Sequence, residues 1–215
     1  MKSLLAMLAV VVIALSGCGA PDDETARPTP ATHAPRPPSS LPDLPVGTGD
    51  VAPGDDVRGD GTVLEVGTRR IDLAPLRIDE VAVVVGGVFF RNGKELWFTD
   101  LDRARATDYL DVLSVVASPD GRRVALIDRQ HGPKDGSGTP LAMSAAFDAA
   151  TGRLLVASYA GMGDLGAGHL AQHYRQAEPR IVSFEGADLV VHGPTGDYRV
   201  PLDGTAPRKV AAPAS

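Results

Sequence analysis

Short apolar runs separated by polar, glycine-bearing turns recur from Thr62 to Leu202. They follow the two-residue alternation of strands rather than the three-to-four spacing of an amphipathic helix. The clearest unit is Val112–Asp128, in which two apolar runs flank Ser118-Pro119-Asp120-Gly121. The proline presets φ, Asp120 offers its carboxylate to the local backbone, and Gly121 takes a positive φ without strain. These residues predict an antiparallel hairpin. A second hairpin is expected where Val88–Arg91 and Lys94–Thr99 flank Asn92-Gly93, a pair suited to a type I′ turn.

The same texture predicts one or two strands over Thr62–Leu73 and a strand at Val81–Val85, an unbroken apolar run suited to burial on both faces. Asp100–Tyr109 reads as a loop or short helix, and Gln130–Pro140 as a glycine-rich charged loop. Strands follow at Leu141–Asp148 and Arg153–Tyr159, joined by Ala149-Ala150-Thr151-Gly152. Further strands are expected at Arg180–Glu185, Leu189–His192 and Asp197–Leu202. Gly161–Gln176 is the one segment with helical potential, and its apolar content is poor. The region 61–208 therefore reads as a single all-β domain, with 209–215 as a frayed tail.

The N-terminus is of a different kind. A cationic start, Met1-Lys2, precedes the apolar run Leu4–Leu15, which is shorter than the roughly 20 residues a membrane-spanning helix needs. The run ends in Leu15-Ser16-Gly17-Cys18, and here the chain resembles bacterial lipoproteins, whose lipobox has this order of apolar, small, small and cysteine. The resemblance implies that residues 1–17 are a signal peptide and that Cys18 takes a diacylglycerol and becomes the mature N-terminus. It also implies a cell-membrane location on the extracytoplasmic face. Cys18 is the single cysteine, so no disulfide can form within the chain. Residues 18–60 alternate proline with Ala, Thr, Ser, Gly and Asp, a composition expected to form a disordered, extended tether.

Several of the hairpins share a form: a strand, a polar turn ending in glycine, a strand. They are Phe90–Leu96, Phe147–Leu155, His192–Tyr198 and the Ser118-Pro119-Asp120-Gly121 unit. Together they resemble blades of the WD40, TolB-like and PQQ-like propellers, in which a Ser-Pro-Asp-Gly turn joins two strands of a blade and an Asp-x-x-Thr-Gly turn joins its last two. A blade takes roughly 40–45 residues and a closed propeller at least four, so the domain has room for about three. The expected architecture is an incomplete propeller-like stack or a compact β-sandwich. An incomplete stack leaves strand edges that an envelope protein or a second copy would close.

A formal charge of −6 without a basic cluster argues against nucleic-acid binding. Gly161-Met162-Gly163-Asp164-Leu165-Gly166 spells a dinucleotide fingerprint after a strand. The preceding elements read as antiparallel hairpins, however, and little chain remains for a nucleotide fold. Gly161, Gly163 and Gly166 are therefore expected to form a connection, with no cofactor. His169 and His173 stand four apart, the spacing that sets two imidazoles on one metal if the segment is helical. Leu170 and Ala171 follow His169 where a zinc protease carries its glutamate, and the pair is expected to be solvated rather than metal-bound. No nucleophile motif occurs, and no catalytic residue is assigned. The expected role is a non-catalytic binding module of the envelope. The alternative is an envelope hydrolase built on a pair drawn from Asp79, Glu80, Glu95, Asp100, Asp102, Asp128, Asp148 and Glu185.

Overall fold

The computed structural model describes residues 35–211; the lipobox residues Leu15, Ser16, Gly17 and Cys18 lie outside them. The fold is all-β. Among the described residues fifteen strands form four antiparallel sheets, each an up-and-down meander in chain order. Sheet I holds β1 (Val57–Asp60), β2 (Val63–Val66) and β3 (Arg69–Asp72). Sheet II holds β4 (Glu80–Val84), β5 (Gly87–Asn92), β6 (Glu95–Thr99) and β7 (Ala104–Ala106). Sheet III holds β8 (Val112–Ala117), β9 (Arg123–Asp128), β10 (Met143–Asp148) and β11 (Leu154–Ser158). Sheet IV holds β12 (Arg180–Glu185), β13 (Asp188–Gly193), β14 (Gly196–Pro201) and β15 (Arg208–Lys209). A 3-10 turn, Leu165–Ala167, and one short helix, α1 (Leu170–Gln176), lie between sheets III and IV.

The expected hairpins form, and local chemistry explains why. Ser118 Oγ donates to Asp120 Oδ1 (2.6 Å) and accepts from the N–H of Arg123 (3.0 Å), and Gly121 takes φ 62°. Asp148 Oδ1 accepts from the N–H of Ala150 and from both N–H and Oγ1 of Thr151, closing the β10–β11 turn.

Four sheets are present where length alone suggested room for three, because sheets I, II and IV are each shorter than a full propeller blade. Sheet II, for instance, is complete within Glu80–Ala106. Asp100–Tyr109, expected as loop or helix, contains the edge strand β7, paired to β6 at Thr99↔Ala104 and Trp97↔Ala106. The tail expected to fray at 209 instead supplies Lys209 to β15, which pairs Tyr198↔Lys209.

The first strands of the sheets sit side by side: β4 packs with β1 and with β8, and β8 packs with β12. Among the described residues three apolar cores fill the spaces between four sheets. Leu64, Val66, Val88 and Phe90 lie between I and II, and Phe89, Phe98, Val115, Leu126 and Phe147 between II and III. Ile127, Ala146, Leu189 and Val191 lie between III and IV, joined by Met162, Leu170 and Tyr174 from the segment that carries α1. A closed ring of four would need a fourth core between IV and I. The stack is therefore open.

Its two end faces are polar, as terminal repeats of a stack must be. On sheet IV, Arg199 pairs with Glu185 and with Asp188 (3.9 Å), and Arg208 pairs with Asp188 (3.4 Å). On sheet I, Arg58 and Arg70 flank Glu65 in register, with Arg70 3.8 Å from its carboxylate.

The tether expected over 18–60 has no regular structure at 35–56 and only β1 at its end, yet part of it is packed. Leu44 and Val51 are buried. The N–H of Leu44 donates to Gly152 O (2.9 Å), Gly49 N–H to Gly86 O (2.9 Å), and Gly86 N–H to Val51 O (3.1 Å). Tyr109 Oη donates to Pro42 O (2.7 Å) and Arg105 Nη2 to Val46 O (2.9 Å). The prolines remove donors and keep the chain extended. Between them Leu44 drops into the core of sheets II and III and Val51 into that of sheets I and II, making a strap.

Candidate functional site

At the junction of sheets II and III with α1 the chain leaves a pocket of about 330 Å3. Its walls carry Lys94 from the β5–β6 turn, Arg129 from the end of β9, Thr139 from the loop before β10, and Tyr174, Arg175 and Glu178 from α1 and the turn after it. Leu113 of β8 and Glu178 are shared with a neighbouring groove of about 260 Å3, which adds Glu80, Arg91, Ser114 and Arg180.

The inner charges are fixed by partners. Arg129 makes a two-pronged contact with Asp111, 3.1 Å from Nε and 2.9 Å from Nη2. Arg91 Nε donates to Glu80 Oε2 (2.8 Å), which also accepts the edge N–H of Val115 (3.1 Å) and so caps an otherwise unpaired donor of β8. Tyr174 is buried, and its Oη accepts from Ala142 N–H (2.7 Å). Burial raises its hydroxyl pKa against the opposing pull of that bond and of Arg129, so the phenol keeps its proton. That proton has no acceptor among the described residues. Arg175 and Arg180 are exposed and make no ion pair among the described residues.

Asp135 sets this geometry. Its Oδ1 accepts from Ser137 Oγ (2.7 Å), Ser137 N–H (2.9 Å) and Thr139 N–H (2.9 Å), and its Oδ2 accepts from Leu170 N–H (3.3 Å). One carboxylate thus joins the loop that presents Thr139 to the start of α1. The bond from Ser137, followed by those from the backbone, holds its pKa below the ordinary carboxylate value.

A second polar cluster lies at the same end of β9, beside Arg129. Asp128 is fully buried; its Oδ2 contacts His131 Nδ1 (2.9 Å), and the N–H groups of Gln130 and His131 donate to its carboxylate. Burial raises its pKa, opposed by His131. Tyr109 stands edge-on to His131 (5.4 Å) and to Phe147 (5.8 Å). This cluster closes a turn and anchors the strap.

The residues singled out from sequence have other tasks. His169 is the exposed N-cap of α1 and His173 is half-buried within it, and no group of three or more metal-binding side chains occurs among the described residues. Gly161 adopts φ 85° with Tyr198 against the place of a Cβ, and Gly163 (φ 109°) lies against Leu170. Gly166 N–H donates to Asp164 Oδ1 (2.8 Å), which caps the 3-10 turn. The fingerprint lies between antiparallel sheets, and α1 starts four residues beyond Gly166.

The arginine-lined pocket was not legible. Lys94, Arg129 and Arg175 are far apart in the chain, and each looks like a solvated charge; the Asp135-Gly-Ser-Gly-Thr139 turn was the one local signal.

No family model matches the chain. Among curated proteins, a 96-residue stretch is 30% identical to the energy-coupling factor transporter ATP-binding protein EcfA of Methanosphaera stadtmanae. The match takes in 44% of this chain, which spans about a third (32%) of that protein. Among solved structures, a TolB-type protein of Agrobacterium tumefaciens is similar over 69% of this chain and 65% of its own, at 12% identity and a TM-score of 0.28. Neither likeness carries an activity to this chain.

Proposed function

We propose that the protein is a lipid-anchored module on the extracytoplasmic face of the cell membrane, and that it binds an envelope ligand or partner through the pocket between sheets II and III and α1. The place rests on the sequence: the Leu4–Leu15 run ends on Leu15-Ser16-Gly17-Cys18. Two acyl chains suffice for stable retention where one is marginal. Among the described residues no helix is long and apolar enough to cross a membrane. The strap shortens the reach of the domain. Packing starts soon after Pro35, so the chain from Cys18 to that point spans at most about 60 Å when fully extended.

The observation that carries the binding reading is the convergence on one concave site of donors from two sheets, a loop and a helix, held by Asp135, Asp111 and Glu80. Concave sites with a few placed polar groups are where ligands bind. The hydrolase reading has no specific observation in its favour. Asp128, the carboxylate whose pKa burial raises, lies sealed beneath a turn, and Glu80 in the groove is held by Arg91 and Val115.

A photoreactive residue at Ala171, in the pocket wall, tests the reading in the membrane-bound full chain. Adducts are expected from Ala171 and not from exposed Thr68 in the β2–β3 turn. Absence of any adduct from Ala171 contradicts it.

A further inference from the structure

We infer that the pocket takes an oxyanion, a phosphate or carboxylate group, seated on Arg175 with Arg129, Tyr174 and Lys94 beneath and beside it. The inference deepens the binding reading and rests on it.

The walls hold three cations, Lys94, Arg129 and Arg175, two hydroxyls, Thr139 and Tyr174, and a single carboxylate, Glu178. Asp111 lies behind this wall, 3.8 Å from Lys94 and 2.9 Å from Arg129, so three cations meet two carboxylates and one positive charge is left over on a chain whose formal charge is −6. Exposed arginines alone would not make a site; three features set this one apart.

The first is that the cation on the floor is preorganised. Arg129 spends Nε and Nη2 on Asp111, which leaves Nη1 without a partner among the described residues. Its side chain is 20% exposed. Asp111 thus orients the fork without filling it, and a guanidinium held in place gives up little rotamer freedom on binding.

The second is Tyr174. The residue is 7% exposed, and its oxygen is occupied by the N–H of Ala142 (2.7 Å). The hydroxyl is therefore left as a donor. A buried O–H without an acceptor is costly, and an anionic oxygen in the pocket supplies the missing partner with a charge-assisted bond.

The third is that Arg175, one residue on from Tyr174, lacks an ion pair among the described residues, although Glu178 follows three residues later, just beyond the end of α1. Arg180 is likewise unpaired in the adjoining groove and extends the cationic surface toward β12. Arg175 lines a recess that also holds the Arg129 guanidinium and the Tyr174 hydroxyl, a set of donors that matches the oxygens of phosphate or carboxylate. A neutral ligand would leave these donors unmatched. A cationic one would be repelled.

Isothermal titration of the full chain in neutral detergent, first with inorganic phosphate and then with citrate, tests this. Saturable heat with either anion is expected; the anion that gives it assigns the group as phosphate or carboxylate. Arg175→Gln should weaken the interaction about tenfold, the loss of one charged pairing. Arg175→Lys should retain part of it, and Arg122→Gln, at the opposite end of β9, should leave it unchanged. Rising salt should weaken binding. Circular dichroism of each variant confirms the fold, since Arg175 is exposed. No heat with either anion, or heat that Arg175→Gln leaves untouched, overturns the inference, the second result marking an adventitious ion only. If the anions give no heat while Ala171 still forms adducts, the oxyanion falls and the binding reading stands; if both signals are missing, both fall.

Discussion

Two aspartates in sheet III and its loop respond to pH in opposite senses. Asp128 is buried, and its pKa is raised from the ordinary 3.8. Between those two values the folded state holds the proton that the unfolded chain has released, so this group lowers stability as pH rises through the window. Asp128→Asn should flatten that slope in thermal melts run from about pH 4 to pH 7. An unchanged slope would show that Asp128 does not titrate there. Asp135 is the reverse case. Its depressed pKa means that its stabilisation is fully present above 3.8 and is lost as pH falls through the lower, folded value. Asp135→Asn should therefore cost stability at neutral pH, with the difference from the parent chain vanishing in strong acid. The same variant should loosen Thr139 and the start of α1, and so weaken binding in the pocket. Neither aspartate's role is legible from sequence: Asp128 looks like one more strand-end carboxylate, and the bond from Asp135 to Leu170 spans 35 positions.

Among the elements, the hairpins were the most legible part of the chain because their determinants are local. Ser118, Asp120 and Gly121 close the β8–β9 turn with bonds inside a few residues, and alternation sets which side chains enter the cores. The strap shows where such reading stops. Leu44 and Val51 stand alone among prolines and glycines, so no period betrays them; their burial depends on two separate cores made later in the chain. Two substitutions test the strap. Gly152 adopts φ 71°, and a Cβ there would sit 2.0 Å from Leu44 O, so Gly152→Val should lift the strap. Faster amide exchange at Leu44 is the expected readout, and unchanged protection would refute the contact. Tyr109→Phe removes the bond to Pro42 O, at a cost of about 0.5–1.5 kcal/mol in denaturant unfolding. Phe147→Ala, in the core that the strap covers, should cost about 3–5 kcal/mol.

For the molecule as a whole, blade arithmetic missed the fourth sheet because it assumed full-length blades, whereas sheet I closes within Val57–Asp72. The openness of the stack was legible; the means of ending it were not. Ion pairs on the faces of sheets I and IV form between residues brought together by register, and from sequence they look like ordinary surface charge. Among the described residues, polar ends, three cores and a strap complete the stack; the placement we propose for it is at a membrane, held there by the N-terminus. That placement is tested most directly by metabolic labelling of the expressed full chain with an alkyne palmitate. Label is expected on the parent chain and absent from Cys18→Ser, with the variant leaving the membrane fraction. A parent chain that takes up no label, or a Cys18→Ser chain that still does, would contradict the anchored module.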